Sequence, residues 1–224
     1  MTNVVQTTLA KSVSYSGIGL HAANEVHMVM RPAPADTGIV FVRTDLPGNP
    51  AVPAQFANVT NTMRATTLEQ GDAKVFTVEH LLSALNGMAV DNCIIEMDSV
   101  EPPVADGSGL TFVELIQKAG IQELSAPRRV LAVQHQHLVQ EDDKFIAILP
   151  YDGFRITFTS INPHPLLGVQ FLDVELDRET YIREIAFART IAFTKELAML
   201  KKLGLGKGGT LENTIVYDDT TCLS

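Results

Sequence analysis

The chain has 224 residues, of which 46% are hydrophobic and 19% charged, and carries a net charge of −9. That length accommodates one large domain or two ordinary ones, each able to bury a core, and the composition is that of a folded globular protein rather than a disordered one. An acidic balance without a basic stripe excludes a general nucleic-acid binder, while leaving room for a small anionic ligand held by a few local Lys or Arg.

The first twenty residues are polar and broken by Ser and Gly, so they do not read as a signal peptide. No apolar run approaches the roughly 18 residues that a membrane span requires. The expected location is the cytoplasm. Cys93 sits in an apolar, strand-like run and Cys222 lies close to the last residue. Neither belongs to a CxxC pattern, and the two do not suggest a disulfide framework.

In chain order, residues 4–14 alternate like a strand and lead into Tyr15-Ser16-Gly17-Ile18-Gly19-Leu20-His21, whose glycines suggest a tight turn or a close backbone approach. Residues 25–31 predict a strand with Val26, Met28 and Met30 inward and His27 outward. A turn at Arg31-Pro32-Ala33-Pro34-Ala35 precedes a short strand over 39–43, and 47–53 reads as a loop. Residues 60–68 run into a hairpin at Gly71-Asp72. Residues 92–97 form a candidate buried strand, and 111–118 a helix closed by Gly120.

Between hairpin and buried strand lies Phe76-Thr77-Val78-Glu79-His80-Leu81-Leu82-Ser83-Ala84-Leu85-Asn86-Gly87-Met88. Val78, Leu81, Leu82 and Leu85 recur at the spacing of one helical face, with Thr77 as the expected N-cap. Glu79 and His80 point away from that face in the first turn. One reading is that Glu79 complements the helix dipole and His80 is a surface residue. The other makes His80 a metal ligand and Glu79 the base beside it, as in zinc hydrolases. The usual helical zinc motif would place a second His where Ala84 stands, so further ligands would have to come from elsewhere.

Ser125-Ala126-Pro127-Arg128-Arg129 reads as a linker. Strands are expected again over 130–139, 144–149, 155–160 and 168–175, helices from Asp177 to about Phe187 and over 194–202, and a last strand over 213–217. Several strands followed by helices in each half is α+β grammar, and it predicts two similar α+β domains, 1–126 and 127–224. Leu203-Gly204-Leu205-Gly206-Lys207-Gly208-Gly209 is either a flexible connector or a phosphate-binding loop with Lys207 as its cation, although it has neither Walker nor Rossmann spacing. His135 and His137, two apart in an expected strand, share one face; they either chelate a metal or face solvent. His164, between two prolines, reads as a loop residue.

Taken together, several of these stretches resemble the zinc-dependent UDP-3-O-acyl-N-acetylglucosamine deacetylases of lipid A synthesis. They are Ser16-Gly17-Ile18-Gly19-Leu20-His21, Arg31-Pro32-Ala33-Pro34-Ala35, Thr62-Met63, the Thr77–Leu85 run, Asp91-Asn92 and Asp106-Gly107-Ser108. In the second half they are Asn162-Pro163-His164-Pro165, Ala188-Arg189-Thr190 with Phe193, and Gly206-Lys207-Gly208-Gly209. They follow the family's order across nearly the whole chain. The resemblance implies two α+β domains with helices sandwiched between outer sheets and an active site at their junction. It implies His80 as a Zn2+ ligand, Glu79 as general base and Thr190 as donor to the tetrahedral oxyanion. Met63, Ile191, Phe193 and Leu197 would lie along the acetyl group and acyl chain, with Lys207 in the substrate-binding loop. The implied partner is a small UDP-linked acylated glucosamine, not nucleic acid, and the implied reaction is removal of its N-acetyl group, the committed step of lipid A synthesis.

Two departures stand out. The family's aromatic after the Arg-Thr pair is Ile191, and a glycine is replaced by Ala192. The family also continues past the strand matching residues 214–219 into a helix with His-Lys-x-x-x-Asp-x-x-x-Asp and a later catalytic His, the remaining zinc ligands and general acid. With His80 the sole family ligand in the 224 residues, the expectation is a fragmentary, inactive product, or alternatively a non-catalytic homologue that binds nucleotide sugar and acyl chain.

Overall fold

The computed structural model describes residues 4–224. Strand β1 (Val5–Leu9) turns into β2 (Val13–Ile18), followed by β3 (Glu25–Pro32), β4 (Ile39–Arg43) and β5 (Ala51–Pro53). The meander β6 (Val59–Asn61), β7 (Thr67–Gln70) and β8 (Ala73–Phe76) delivers the chain to helix α1 (Glu79–Gly87). Strand β9 (Cys93–Met97), helix α2 (Leu110–Ala119) and strand β10 (Ile121–Pro127) follow. Beyond them come β11 (His137–Glu141), β12 (Lys144–Ile148), β13 (Arg155–Ile161), β14 (Val169–Glu175), helix α3 (Arg178–Glu184), β15 (Ile191–Phe193), helix α4 (Thr194–Lys202) and β16 (Ile215–Tyr217). The fold is α+β, and no described helix is long and apolar enough to cross a membrane.

The main sheet runs β2-β3-β9-β4-β5, antiparallel except for the parallel pair β4–β9. Its central strand has to be apolar, and Cys93, Ile95 and Met97 on one face are completely buried. Val26, Met28 and Met30 point into the same core, as their alternation predicts. Leu81, Ala84 and Leu85 of α1 and Phe112, Val113 and Ile116 of α2 join that core. Each fully buried Leu, Met, Ile or Phe contributes about 1.5–3 kcal/mol, so this layer holds α1 and thereby its first turn. Helix α2 stops where expected, at Gly120 with φ 74°.

Four expectations are corrected. The supposed linker over 125–129 largely belongs to β10, which returns to pair antiparallel with β1, Val5 against Pro127. Residues 51–53 are not loop but an edge strand on β4. Residues 130–136 are not in a strand, so His135 lies outside β11 and does not share a ladder face with His137. Thr77 is not the N-cap of α1: its φ is 59°, and Val78 occupies the cap position without a side-chain cap bond. The sharp exit from β8 explains this, because the Thr77 N–H is already committed to the Thr66 carbonyl at 3.1 Å.

Burial is uneven along the chain. Most of the buried apolar side chains precede residue 128, whereas Val139, Phe145, Ile146, Phe158 and Phe171 on the hairpins β11–β12 and β13–β14 are exposed. Tyr181 and Ala186 of the α3 region are exceptions and belong to the main core. Both cysteines are free, Cys93 buried and Cys222 exposed, and burial pushes the Cys93 thiol up to about 12. A thiol reagent at neutral pH should therefore modify one cysteine in the folded protein and both in denaturant. Rapid native labelling of Cys93, identified by peptide mass spectrometry, would contradict the central position of β9.

Candidate active site

Two features hold Glu79 at the start of α1. The helix dipole favours a carboxylate there, and the backbone N–H of Thr66 donates to its Oε1. The positive φ of Thr77 just before it is a costly conformation for a β-branched residue, of the kind that persists where surrounding structure enforces it. His80 is half-buried. Burial lowers the pKa of its imidazole below the ordinary 6.5, opposed by the nearby charges of Glu79 and Asp106. Asp106 is itself fixed by the Ser108 hydroxyl, which donates to its carboxylate at 2.9 Å.

The turn that carries Asp106 also carries the link to the second half of the chain. Gly107 has φ 82°, and an added Cβ would stand 1.7 Å from the Asn213 carbonyl oxygen. No residue with a side chain fits so close a crossing. The Thr190 N–H donates to the Gly107 carbonyl at 2.9 Å, and the Ile215 N–H to the Thr190 carbonyl at 2.9 Å. Two residues on, Gly109 lines a small open cavity of about 240 Å3 with Glu79, His80, Ser83, Tyr181, Ile185 and Ala188. Glu79, His80 and the segment ending in Thr190 thus converge on one turn. A larger cavity of about 500 Å3, floored by Phe154, Ile156 and Leu172, contains neither Glu79 nor His80.

The remaining predicted residues occupy two other places. Met63 is exposed beside Arg64, whose guanidinium grips both Glu196 carboxylate oxygens at 2.8 and 3.1 Å. Leu197, next to Glu196, and Ile191 on β15 are also about half exposed. Phe193 turns toward His164 and Tyr217, with ring centroids at 6.0 and 5.8 Å. Lys207 is exposed on the glycine loop, which is docked rather than free-standing. Gly208 N–H donates to the Leu20 carbonyl at 2.9 Å and Gly206 N–H to His21 Nδ1 at 3.1 Å. The Leu20–His21 turn is held in its turn by Glu101, 1% exposed, which accepts the His21 and Ala22 amides at 3.0 Å.

A family model described as UDP-3-O-acyl N-acetylglycosamine deacetylase matches residues 6–224. The chain belongs to this family. It is 41% identical over 221 residues to the UDP-3-O-acyl-N-acetylglucosamine deacetylase of Pseudomonas entomophila, covering 98% of this chain and 73% of that protein. The relative named alike from Anaeromyxobacter dehalogenans is 42% identical, covering 98% of this chain and 70% of its own length. That of Hahella chejuensis is 39% identical, with coverages of 99% and 74%.

Several motifs that carry the family resemblance have structural work of their own. Asn92 bridges the Gly38 amide and the Gln6 side chain, each at 2.9 Å, and Asp91 accepts the Thr7 amide at 2.8 Å. Sequence reading missed Asp106 and Glu101 as individual residues. Asp106 lay inside a motif already noted, but Glu101, before Pro102-Pro103, left no signal beyond a charge in the loop after a buried strand.

Two outcomes follow from this geometry. Gly107→Ala should lower stability by at least about 1–3 kcal/mol, the cost of a strained backbone position, and should speed amide exchange at Thr190; unchanged exchange there would separate the turn from the Thr190 segment. A depressed His80 pKa contributes stability that is present above the ordinary value of 6.5 and is lost as pH falls below it. The urea midpoint of the unmutated protein should accordingly fall more between about pH 7.5 and 5 than that of His80→Gln; equal slopes would contradict burial of the imidazole.

Proposed function

We propose that this chain carries the substrate-binding and proton-transfer elements of a UDP-3-O-acyl-N-acetylglucosamine deacetylase, an enzyme of lipid A biosynthesis, on two α+β domains, 1–126 and 127–224. The reading is supported by the turn over 106–109, which accepts the Thr190 amide and also lines the cavity that contains Glu79 and His80. Glu79 takes the proton from a water attacking the acetamide carbonyl and passes it to the departing amine, so that acetate and a free amine result. The Thr190 hydroxyl donates to the oxyanion that forms between those steps. Met63, Ile191, Phe193 and Leu197 contact the acetyl group and acyl chain, and Lys207 faces the anionic diphosphate.

The family is a zinc family. His80 offers one imidazole, whose charged form is disfavoured by burial. Catalytic zinc takes three protein ligands, and no three His, Cys, Asp or Glu side chains gather among the described residues. His80 and its neighbours therefore do not fit a complete zinc site. The family resemblance places the remaining ligands in a segment that in relatives follows the strand matching residues 214–219; the alternative reading is a non-catalytic homologue that binds nucleotide sugar and acyl chain.

Zinc analysis after dialysis should give well under one equivalent, and turnover of the acylated nucleotide sugar separates the two readings. In a chain completed with the C-terminal segment of a relative, turnover that falls by about 10²–10⁴ in Glu79→Gln, the usual cost of losing a general base, with substrate affinity retained, establishes hydrolysis. Calorimetric binding without turnover in the completed chain supports the binding homologue. Equal, small losses in Glu79→Gln and His80→Ala would reduce the pair to a surface feature.

A further inference from the structure

Of the eight ion pairs among the described residues, Arg64–Glu196 alone ties the first 127 residues to anything beyond Arg129. It is bidentate, with two parallel N–H donors on two carboxylate oxygens, a geometry that fixes direction as well as distance. Its two ends lie beside the residues assigned above to the acyl chain. Arg64 follows Met63 on the loop between β6 and β7, and Glu196 precedes Leu197 in the first turn of α4. Helix α4 continues directly from β15 and so from Thr190.

The loop end shows why a latch is needed. Arg64 has φ 65°, which a residue with a side chain adopts only when its surroundings hold it there. Met63 N–H is turned back onto Asn61 Oδ1 at 2.7 Å, which completes the bend. Two residues further on, the Thr66 N–H donates to Glu79 and the Thr66 carbonyl accepts from Thr77. A shift of Arg64 is therefore passed within three residues to the group that holds the Glu79 carboxylate. Each partner's titration moves as a coupled pair requires: Glu196 holds the Arg64 guanidinium protonated more firmly, and Arg64 holds the Glu196 carboxyl below its usual range.

We infer that Arg64 and Glu196 are positioning residues: their ion pair sets the aperture between Met63 and Leu197, through which an O-linked acyl chain passes, and keeps Thr66 in register with Glu79. The substrate named here rests on the deacetylase reading; the latch itself does not. Side chains with 37% and 25% exposure make a pair too weak to hold a fold together but strong enough to bias one loop, by about two- to fivefold in population.

The test uses the full chain and its Arg64→Ala, Glu196→Ala, double and charge-swapped (Arg64→Glu with Glu196→Arg) forms. Amide exchange at Thr66 is measured by mass spectrometry or NMR, and calorimetry compares UDP-N-acetylglucosamine with its 3-O-acylated counterpart. Each single variant should speed Thr66 exchange about two- to fivefold and weaken the acylated ligand by a similar factor. The unacylated ligand should bind as before. The double variant should be no worse than either single one, and the charge swap should restore both readouts. Additive losses in the double variant, unaltered exchange at Thr66, equal weakening of both ligands, or a swap that restores nothing would each overturn the latch. If the unmutated protein binds neither nucleotide sugar, the deacetylase reading fails, and the exchange cycle still decides whether the pair positions the loop.

Discussion

A carboxylate that forms no ion pair among the described residues anchors the architecture around the site. Glu101 is buried, and burying a charge in this way is costly unless hydrogen bonds replace its water. Here the backbone amides of His21 and Ala22 do so. The neighbouring Gly19 has to lack a side chain, because a Cβ would stand 2.5 Å from the Glu101 carboxylate. The glycine loop that carries Lys207 then docks on this turn, with Gly208 so close to Gly19 that a Cβ would meet its carbonyl at 2.2 Å. Asn213 follows that loop and crosses Gly107, and Gly107 receives Thr190. A run of backbone contacts therefore leads from one carboxylate to the proposed oxyanion donor, and glycines occupy its tightest crossings.

The second half of the chain is held differently. Hairpins β11–β12 and β13–β14 satisfy their backbone groups by pairing while leaving many apolar side chains exposed. What fixes α3 is its contact with the first half. Tyr181 is 3% exposed, its hydroxyl meets Ser83 Oγ at 2.9 Å, and its ring lies where a Cβ on Gly87 would be 2.2 Å away. The cavity beside Glu79 and His80 thus has one wall from a well-packed layer and another from a segment packed against that layer.

The sequence was most legible where local pattern and tertiary role agree. The alternation over Glu25–Pro32, the apolar spacing of α1, the stop at Gly120 and the Asp177 cap, which accepts the Thr180 amide at 2.7 Å, are all written within a few residues. The misreadings arose where a distant partner decides the structure. Residues 121–127 became a strand because β1 offers an edge, and Ile191–Phe193 because β16 lies parallel to it. Thr77 has the right chemistry for a cap, but the approach from β8 puts its backbone in the wrong conformation. Glu79 and His80 stood out because they are adjacent. Glu101 and the Arg64–Glu196 pair did not, since nothing near them in sequence announces partners tens of residues away.

The pairing of β1 with β10 has a consequence for how the polypeptide is made. Strand β1 leaves the ribosome well before its partner, which is not available until Pro127 has been added. Until then Val5–Leu9 can gain only its backbone bonds to Asp91 and Asn92, and closing so long a loop is slow because its entropy has to be overcome before the pairing rewards it. The first half is therefore sealed late. A pause in translation before residue 121 would leave a nascent chain with its main sheet able to form and its opening strand still free to find another partner.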